Sequence, residues 1–420
     1  MARKSFWAKP KIIGIPSVAD STGISQKNAV IEMLDDWQLK QDVAALVFDT
    51  TSSNTGIRNG CASLIEKDLN RPLLWLACRH HMYEVHIKNI WKAVSGNTVG
   101  PEELLFKRFQ SDWENIDHYL NDVTLFQWPG TMDDNGKPIT SMIASTATEV
   151  LKWAKDCYST SVFPRADYEE LLELTILFLG GDVTIILRKP GALHHARFMS
   201  KAIYFLKMCL LSTRLELTDK ELDQITRMEN FIALFYAKSF LRSRLALIAP
   251  TDDLLFLGSM IWFRDDDEVI ANAAIESCLR HQWYFTEALV VFAIFNEHLS
   301  EFTRSILARK LWETPRPKEF IVGKPKFPIK SIDDMPLLHS LIGPNLWLLF
   351  HVMRLHASQT DWLQLPLKYW ERMTDYREIR DFVRQLEVVN DCAERGIKLI
   401  SDFKDICQSE EQQAFFISSC

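Results

Sequence analysis

Two acids stand in places where an acid usually has work to do. Asp49 ends an almost unbroken apolar run, Val43 to Phe48 (VAALVF), and Glu394 falls in line with Ile397, Ile400 and Phe403 on an apolar helical stripe. In open α/β sheets, ligands bind beyond the carboxyl ends of the strands, which is where a carboxylate at position 49 would stand. An acid on an apolar stripe needs a charge partner or a metal ion. The simpler alternatives are a turn cap for Asp49 and a nearby Arg or Lys for Glu394.

The elements that must position these groups alternate between strand and helix over residues 11–94. Lys11 to Val18 (KIIGIPSV) predicts a short strand, and Asp20, Ser21 and Thr22 are capping residues. From Ser25 onward Ala29, Val30, Met33, Leu34 and Trp37 recur at helical spacing. Val43 to Phe48 predicts a strand covered on both faces by helices, with Thr50 to Gly56 as the loop after it. Ile57, Cys61, Leu64, Ile65 and Leu69 predict a second helix, Leu73 to Ala77 a third strand, and Val85, Ile90, Trp91 and Val94 a third helix. Such alternation implies parallel neighbours. Beyond Pro101 the strand pattern fades, and helical patterns rich in Leu, Phe and Trp run to about residue 313. Pro315, Pro317, Pro325 and Pro328 mark a connector near 314–332, and helices resume from about Pro336.

Three segments carry a family resemblance. Asp49-Thr50-Thr51-Ser52-Ser53-Asn54-Thr55-Gly56 resembles the strand-four motif of hAT DNA transposases, in which an Asp is followed some residues later by Asn. Leu76-Ala77-Cys78-Arg79-His80-His81 resembles that family's CxxH motif at the end of the next strand, with Cys78 and His81 matching. Val389-Asn390-Asp391-Cys392-Ala393-Glu394-Arg395-Gly396 resembles the SAxxER segment, where a helix carries the last acid of the catalytic triad. The resemblance covers residues 11–94 and about 385–407. It implies an α/β ribonuclease-H-like sheet, partial because its opening strands are not found, interrupted by a large all-α insertion and mostly helical overall. It also implies that Asp49 and Glu394 are catalytic and ligate Mg²⁺ or Mn²⁺, with Asn54, Cys78 and His81 as motif neighbours, in two-ion cleavage and strand transfer of DNA. The family's first catalytic Asp lies on the opening strand, two strands before Lys11 to Val18, and Asp20 stands at the wrong place to replace it. Little or no cleavage is therefore expected of this chain.

Within the helical region, Ala196-Arg197-Phe198-Met199-Ser200 resembles the family's RWNS element, with Phe in place of Trp and Met in place of Asn. The resemblance implies an aromatic ring stacked on DNA. Charge makes a separate argument: Val183 to Leu215 holds no acid, while Arg188, Lys189, Arg197, Lys201, Lys207 and Arg214 make it basic. Such a stretch suits phosphate contact and base stacking by Arg188, Lys189, Arg197, Phe198 and Lys201. In the alternative, Phe198 and Tyr204 are helix-core residues and the cations a solvated face.

The bulk properties narrow the classes. A chain of 420 residues with 47% hydrophobic and 25% charged residues is globular and long enough for two or three units. Its net charge of −7 excludes a wholly basic, nucleic-acid-coating protein, although residues 1–95 hold 12 Lys and Arg against 9 Asp and Glu. Eight scattered cysteines without a CxxC pair read as reduced core thiols of an intracellular protein. Cys78, His80, His81, His86, His194 and His195 supply zinc-ligand types but no second pair at zinc-finger spacing, so no zinc is expected. Leu171 to Leu187, interrupted by Glu173, Gly180, Gly181 and Asp182, makes a poor membrane span, and Met1 to Lys11 is no signal peptide. No GxGxxG or GxxxxGK[ST] loop follows a strand, which argues against a nucleotide-binding domain.

The sequence thus predicts a partial ribonuclease-H-like domain over 1–95, a helical insertion over 96–375, and a C-terminal helix over 376–420 that returns to the first domain. The expected function is that of a hAT-transposase-like protein, nuclear, acting on DNA at transposon ends or without sequence preference. The alternative is a non-catalytic, transposon-derived helical DNA-binding or protein-interaction protein, whose Trp and Phe residues serve packing or homo-oligomer contacts.

Overall fold

A computed structural model describes residues 13–96, 104–115, 142–161, 163, 165–190 and 199–390. It is mostly helical, with a two-stranded parallel sheet. The chain divides into two units. Among the described residues, one comprises 13–78, 322–324 and 389–390, and the other takes the rest.

In the first unit, α1 (Gly23–Asp36) starts where Thr22 accepts a hydrogen bond from Ser25 N–H at 3.3 Å, with Thr22 itself held by Asp20. Its Ile31 and Leu34 pack with Cys61, Ile65 and Leu73 into the unit's core. Trp37, expected on the same stripe, is 51% exposed because the helix ends one residue before it. Strand β1 (Ala45–Phe48) is followed by the single turn α2 (Ser52–Thr55), then α3 (Cys61–Leu69) and β2 (Leu74–Ala77). The two strands pair in parallel, with Phe48 opposite Ala77.

Two expectations for this unit need correction. Residues 13–18 form no strand: Pro16 has no N–H for a ladder, Ile15 is 55% exposed, and Ile13 joins the core as loop. Strand β1 is not covered on both faces. Leu46 and Phe48 share the packed side, Phe48 edge-on to Trp75 at 5.5 Å, while Val47 on the other side is 41% exposed. Strand β2, by contrast, is buried throughout. Residues 322–324 belong here because buried Glu66 accepts hydrogen bonds from both Leu73 N–H (2.8 Å) and Gly323 N–H (2.7 Å). Gly323 has φ +102°, a conformation natural to glycine.

Among the described residues, the second unit is helical apart from one isolated bridge between Leu245 and Glu387. Its helices are α4 (Arg79–Ser95), α5 (Leu104–Asp112), α6 (Met142–Thr160), α7 (Ala166–Phe178), α8 (Ser200–Leu210), α9 (Asp219–Phe231), α10 (Ala237–Arg242), α11 (Ala249–Trp262), α12 (Glu268–Leu279), α13 (Glu301–Glu313), α14 (Leu348–Val352) and α15 (Thr374–Gln385). Helix α9 opens on a capping box made by Thr218 and Glu221, and a π-helical turn, Ile232–Tyr236, joins it to α10. Residues 315–331 hold no helix or strand. Beyond them, Pro336, Gly343, Pro344 and Pro366 break the expected helices into short 3₁₀ turns and the five-residue α14 before α15.

Aromatic packing dominates this core. Trp362 meets Trp370 at 4.8 Å and Tyr376 at 5.0 Å, and Arg304 lies over Trp370. At its polar centre the fully buried Arg79 donates to Asp253 Oδ1 through Nε (3.1 Å) and Nη2 (2.5 Å), and to Ser243 O. Burial disfavours the guanidinium charge, and the adjacent Asp253 carboxylate outweighs it, so Arg79 stays a cation. One stretch, Ala246–Asp265, passes by length and composition as a membrane span, and half of it is buried inside the protein, as in a core helix.

Candidate active site at the strand ends

The carboxyl end of the sheet brings Asp49 and Cys78 side by side. Phe48 and Ala77 are in register, and Cys78 N–H continues the ladder to Phe48 O at 2.8 Å. Asp49 is half-buried, and its Oδ1 accepts from Thr51 N–H (3.0 Å), Thr51 Oγ1 (2.5 Å) and Asn54 Nδ2 (2.8 Å). The first of these is an Asx turn. Asn54, singled out with Asp49 in the sequence, thus touches the carboxylate itself.

Close backbone approach fixes this loop. A Cβ on Gly60 would stand 2.3 Å from Gly56 N and 2.8 Å from Asn54 O, and one on Gly23 would stand 2.2 Å from Asn59 O. Neither position accepts a side chain without moving the segment that carries Asn54 and Asp49.

Cys78 is fully buried and its Sγ accepts a hydrogen bond from Asn390 N–H at 3.1 Å, across a separation of 312 residues. The segment leading to Glu394 therefore arrives at the end of β2. Glu394 itself lies outside the described residues, as do Arg197, Phe198, His194 and His195. His81 is half-buried on the first turn of α4, in the helical unit. Beside it in sequence, His80 is buried and stacked on Phe240 at 4.1 Å.

As a metal centre, the described residues offer one carboxylate at the strand ends. No group of three His, Cys, Asp or Glu side chains gathers in ligand arrangement among them. This set alone does not fit a two-ion site, which needs clustered carboxylates.

The basic stretch is tied to acids from elsewhere in the helical unit. Arg188 faces Glu169 at 3.7 Å, Lys189 pairs with Glu114, and buried Lys207 pairs with Glu170 at 2.7 Å. Tyr204 is a core residue, in edge contact with Phe106. Lys201 is half-buried near the Glu84 carboxyl. Glu84, which the sequence reading did not single out, anchors the described end of the RWNS-like segment. Its Oε1 accepts from Met199 N–H (2.8 Å) and from Tyr236 OH (2.7 Å), at the end of the π-helical turn. Burial pushes the Glu84 carboxyl above its usual range against these hydrogen bonds, which act to lower it. Met199 has φ +68°, an uncommon conformation for a non-glycine residue and a mark of local strain. Nothing in the sequence pointed to Glu84, since its partners lie 115 and 152 residues away.

In comparisons with known proteins, no family model, curated protein or solved structure matches the chain.

Proposed function

We propose that the unit built on β1 and β2 is a partial ribonuclease-H-like centre of the hAT-transposase type, acting on DNA in the nucleus. Asp49 and Glu394 are its carboxylates, and Mg²⁺ or Mn²⁺ is the ion they share. One observation carries the reading. The hydrogen bond from Asn390 to Cys78 Sγ brings the chain, four residues before Glu394, to the end of the strand that lies in register beside the one delivering Asp49. Asn54 orients the Asp49 carboxylate, and His81 is a polar neighbour of the CxxH-like segment. Arg188, Lys189, Arg197, Phe198 and Lys201 contact DNA. The exposed pairs of Arg188 and Lys189 exchange for phosphate at small cost.

A second reading has its own support. Oδ1 of Asp49 already accepts three hydrogen bonds from its own loop, as a turn cap does. In that case the chain is a non-catalytic, transposon-derived helical DNA-binding or protein-interaction protein.

The deciding experiment reads metal occupancy at the Asp49 and Glu394 carboxylates rather than turnover. Mn²⁺ titration followed by electron paramagnetic resonance should show binding that Asp49→Asn and Glu394→Gln each weaken. Unchanged Mn²⁺ binding in both variants sinks the metal-centre reading. So do spin labels at positions 49 and 394 that report a separation far beyond the few ångströms spanned by a shared ion pair.

A further inference from the structure

The helical unit holds an apolar groove that the strand-end reading leaves unused. Arg309, Trp312, Gln364, Leu365, Pro366 and Trp370 are among its lining residues. Trp370 forms the floor: it is 1% exposed, and its indole N–H is satisfied by Leu365 O at 2.9 Å. Trp312 stands in the wall, 39% exposed. Along α13, Phe302, Ser305, Arg309 and Trp312 recur at helical spacing and so share one face, on which Phe302 is 75% exposed. One face of α13 thus carries two exposed aromatic side chains, Phe302 and Trp312.

Charge selects the occupant. Arg309 lines the groove and exposed Lys310 and Lys318 follow it in sequence, with Glu313 and Glu319 as the nearby acids, while Arg316 is held over the Trp347 ring and donates to Thr360. In the turn that contributes Trp370, Lys368 and Arg372 lie 5.1 and 5.6 Å from the centre of the Tyr369 ring. The acid between them in sequence, Glu371, is engaged by Arg380. An amphipathic helix would need acids placed beside its apolar face to meet these cations. A polyanion bearing flat apolar rings matches both features.

We propose that this groove binds single-stranded DNA, with a base stacked on Trp312 and phosphates met by Arg309 and by Lys368 with Arg372. The inference deepens the DNA reading given above, yet needs neither Asp49, Glu394 nor a metal ion.

The test is fluorescence anisotropy of a labelled oligothymidylate of about 15 nucleotides, a length suited to aromatic and basic single-strand sites. It uses the full chain in EDTA, so that its outcome is independent of any metal centre. Binding should weaken steeply with salt. Trp312→Ala should lower affinity about tenfold, Trp312→Phe should restore most of it, and Arg309→Gln should flatten the salt dependence by about one counterion. Arg309→Gln should keep the parent's thermal midpoint, since its side chain is exposed, and Trp312→Phe, which keeps most of the covered ring, separates a loss of stacking from a loss of stability. The proposal is overturned if the parent does not bind the oligonucleotide, or if Trp312→Ala and Arg309→Gln bind as the parent does. Tighter binding of an oligouridylate of equal length overturns the assignment to DNA. Displacement of the groove's ligand by an amphipathic helical peptide, with no loss on removing Arg309, would assign the groove to a protein partner instead.

Discussion

Asp49 and Asp253 are held alike in number and differently in kind. Each presents its Oδ1 to three donors. For Asp49 they come from Thr51 and Asn54, within five residues. For Asp253 they come from Arg79 and Tyr83, 174 and 170 residues away. The first cluster can form wherever its own loop forms, whereas the second exists only once the helical unit is assembled. A carboxylate of the first kind can change without unfolding the protein, which suits a site. One of the second kind is part of what holds the fold together.

The largest effect that would test this contrast is on stability. Asp253→Ala strands the Arg79 guanidinium, which is 0% exposed, and should cost about 3–5 kcal/mol in urea unfolding. Replacing both partners, as Arg79→Met with Asp253→Leu, should recover most of that loss. A cost near that of a surface substitution would break the comparison.

Glu229 sharpens it from the other side. It is fully buried, and neither carboxyl oxygen has a better partner among the described residues than the weakly donating Cys209 thiol. Burial therefore pushes its carboxyl well above the ordinary range. The folded protein keeps a proton that the unfolded chain releases, so this contribution to stability is complete below the unfolded pKa and declines as pH rises toward the folded one. Glu229→Gln should remove the decline. The variant should gain on the parent as pH rises above the unfolded carboxyl range, by up to about 1.4 kcal/mol per pH unit, read from denaturation midpoints. Parallel pH profiles for the two proteins would refute the assignment.

For Asp49 the expected costs are smaller. Asp49→Ala should lose about 1–2 kcal/mol, as a lost cap does, and Asp49→Asn, which keeps an acceptor, less than 1 kcal/mol. The smallest change in stability is expected at the exposed Lys189–Glu114 pair, where Lys189→Ala should stay within about 1 kcal/mol.

The same contrast explains what was legible in the sequence. β1, β2, α1 and α3 announced themselves through local periodicity, and the Asp49–Asn54 contact fell within one motif. The stretch at residues 13–18 misled because Ile13 and Ile15 supply a strand's apolar content while Pro16 denies it a ladder. Val47 misled because an apolar run does not say which of its faces is packed. Long-range partners left no trace: Arg79 with Asp253, Glu84 with Met199 and Tyr236, and the acids that meet Arg188, Lys189 and Lys207 all join residues whose spacing carries no period. The expected roles of Glu394, Arg197 and Phe198 fall outside the described residues.

The two hydrogen bonds accepted by Glu66 bear on how the chain can be divided for study. A fragment cut after the third predicted helix keeps Leu73 and forfeits Gly323, so a carboxylate that is 2% exposed would have one backbone donor where it now has two. Expression of the sheet-bearing fragment by itself should succeed better when the tripeptide Val322-Gly323-Lys324 is spliced back in.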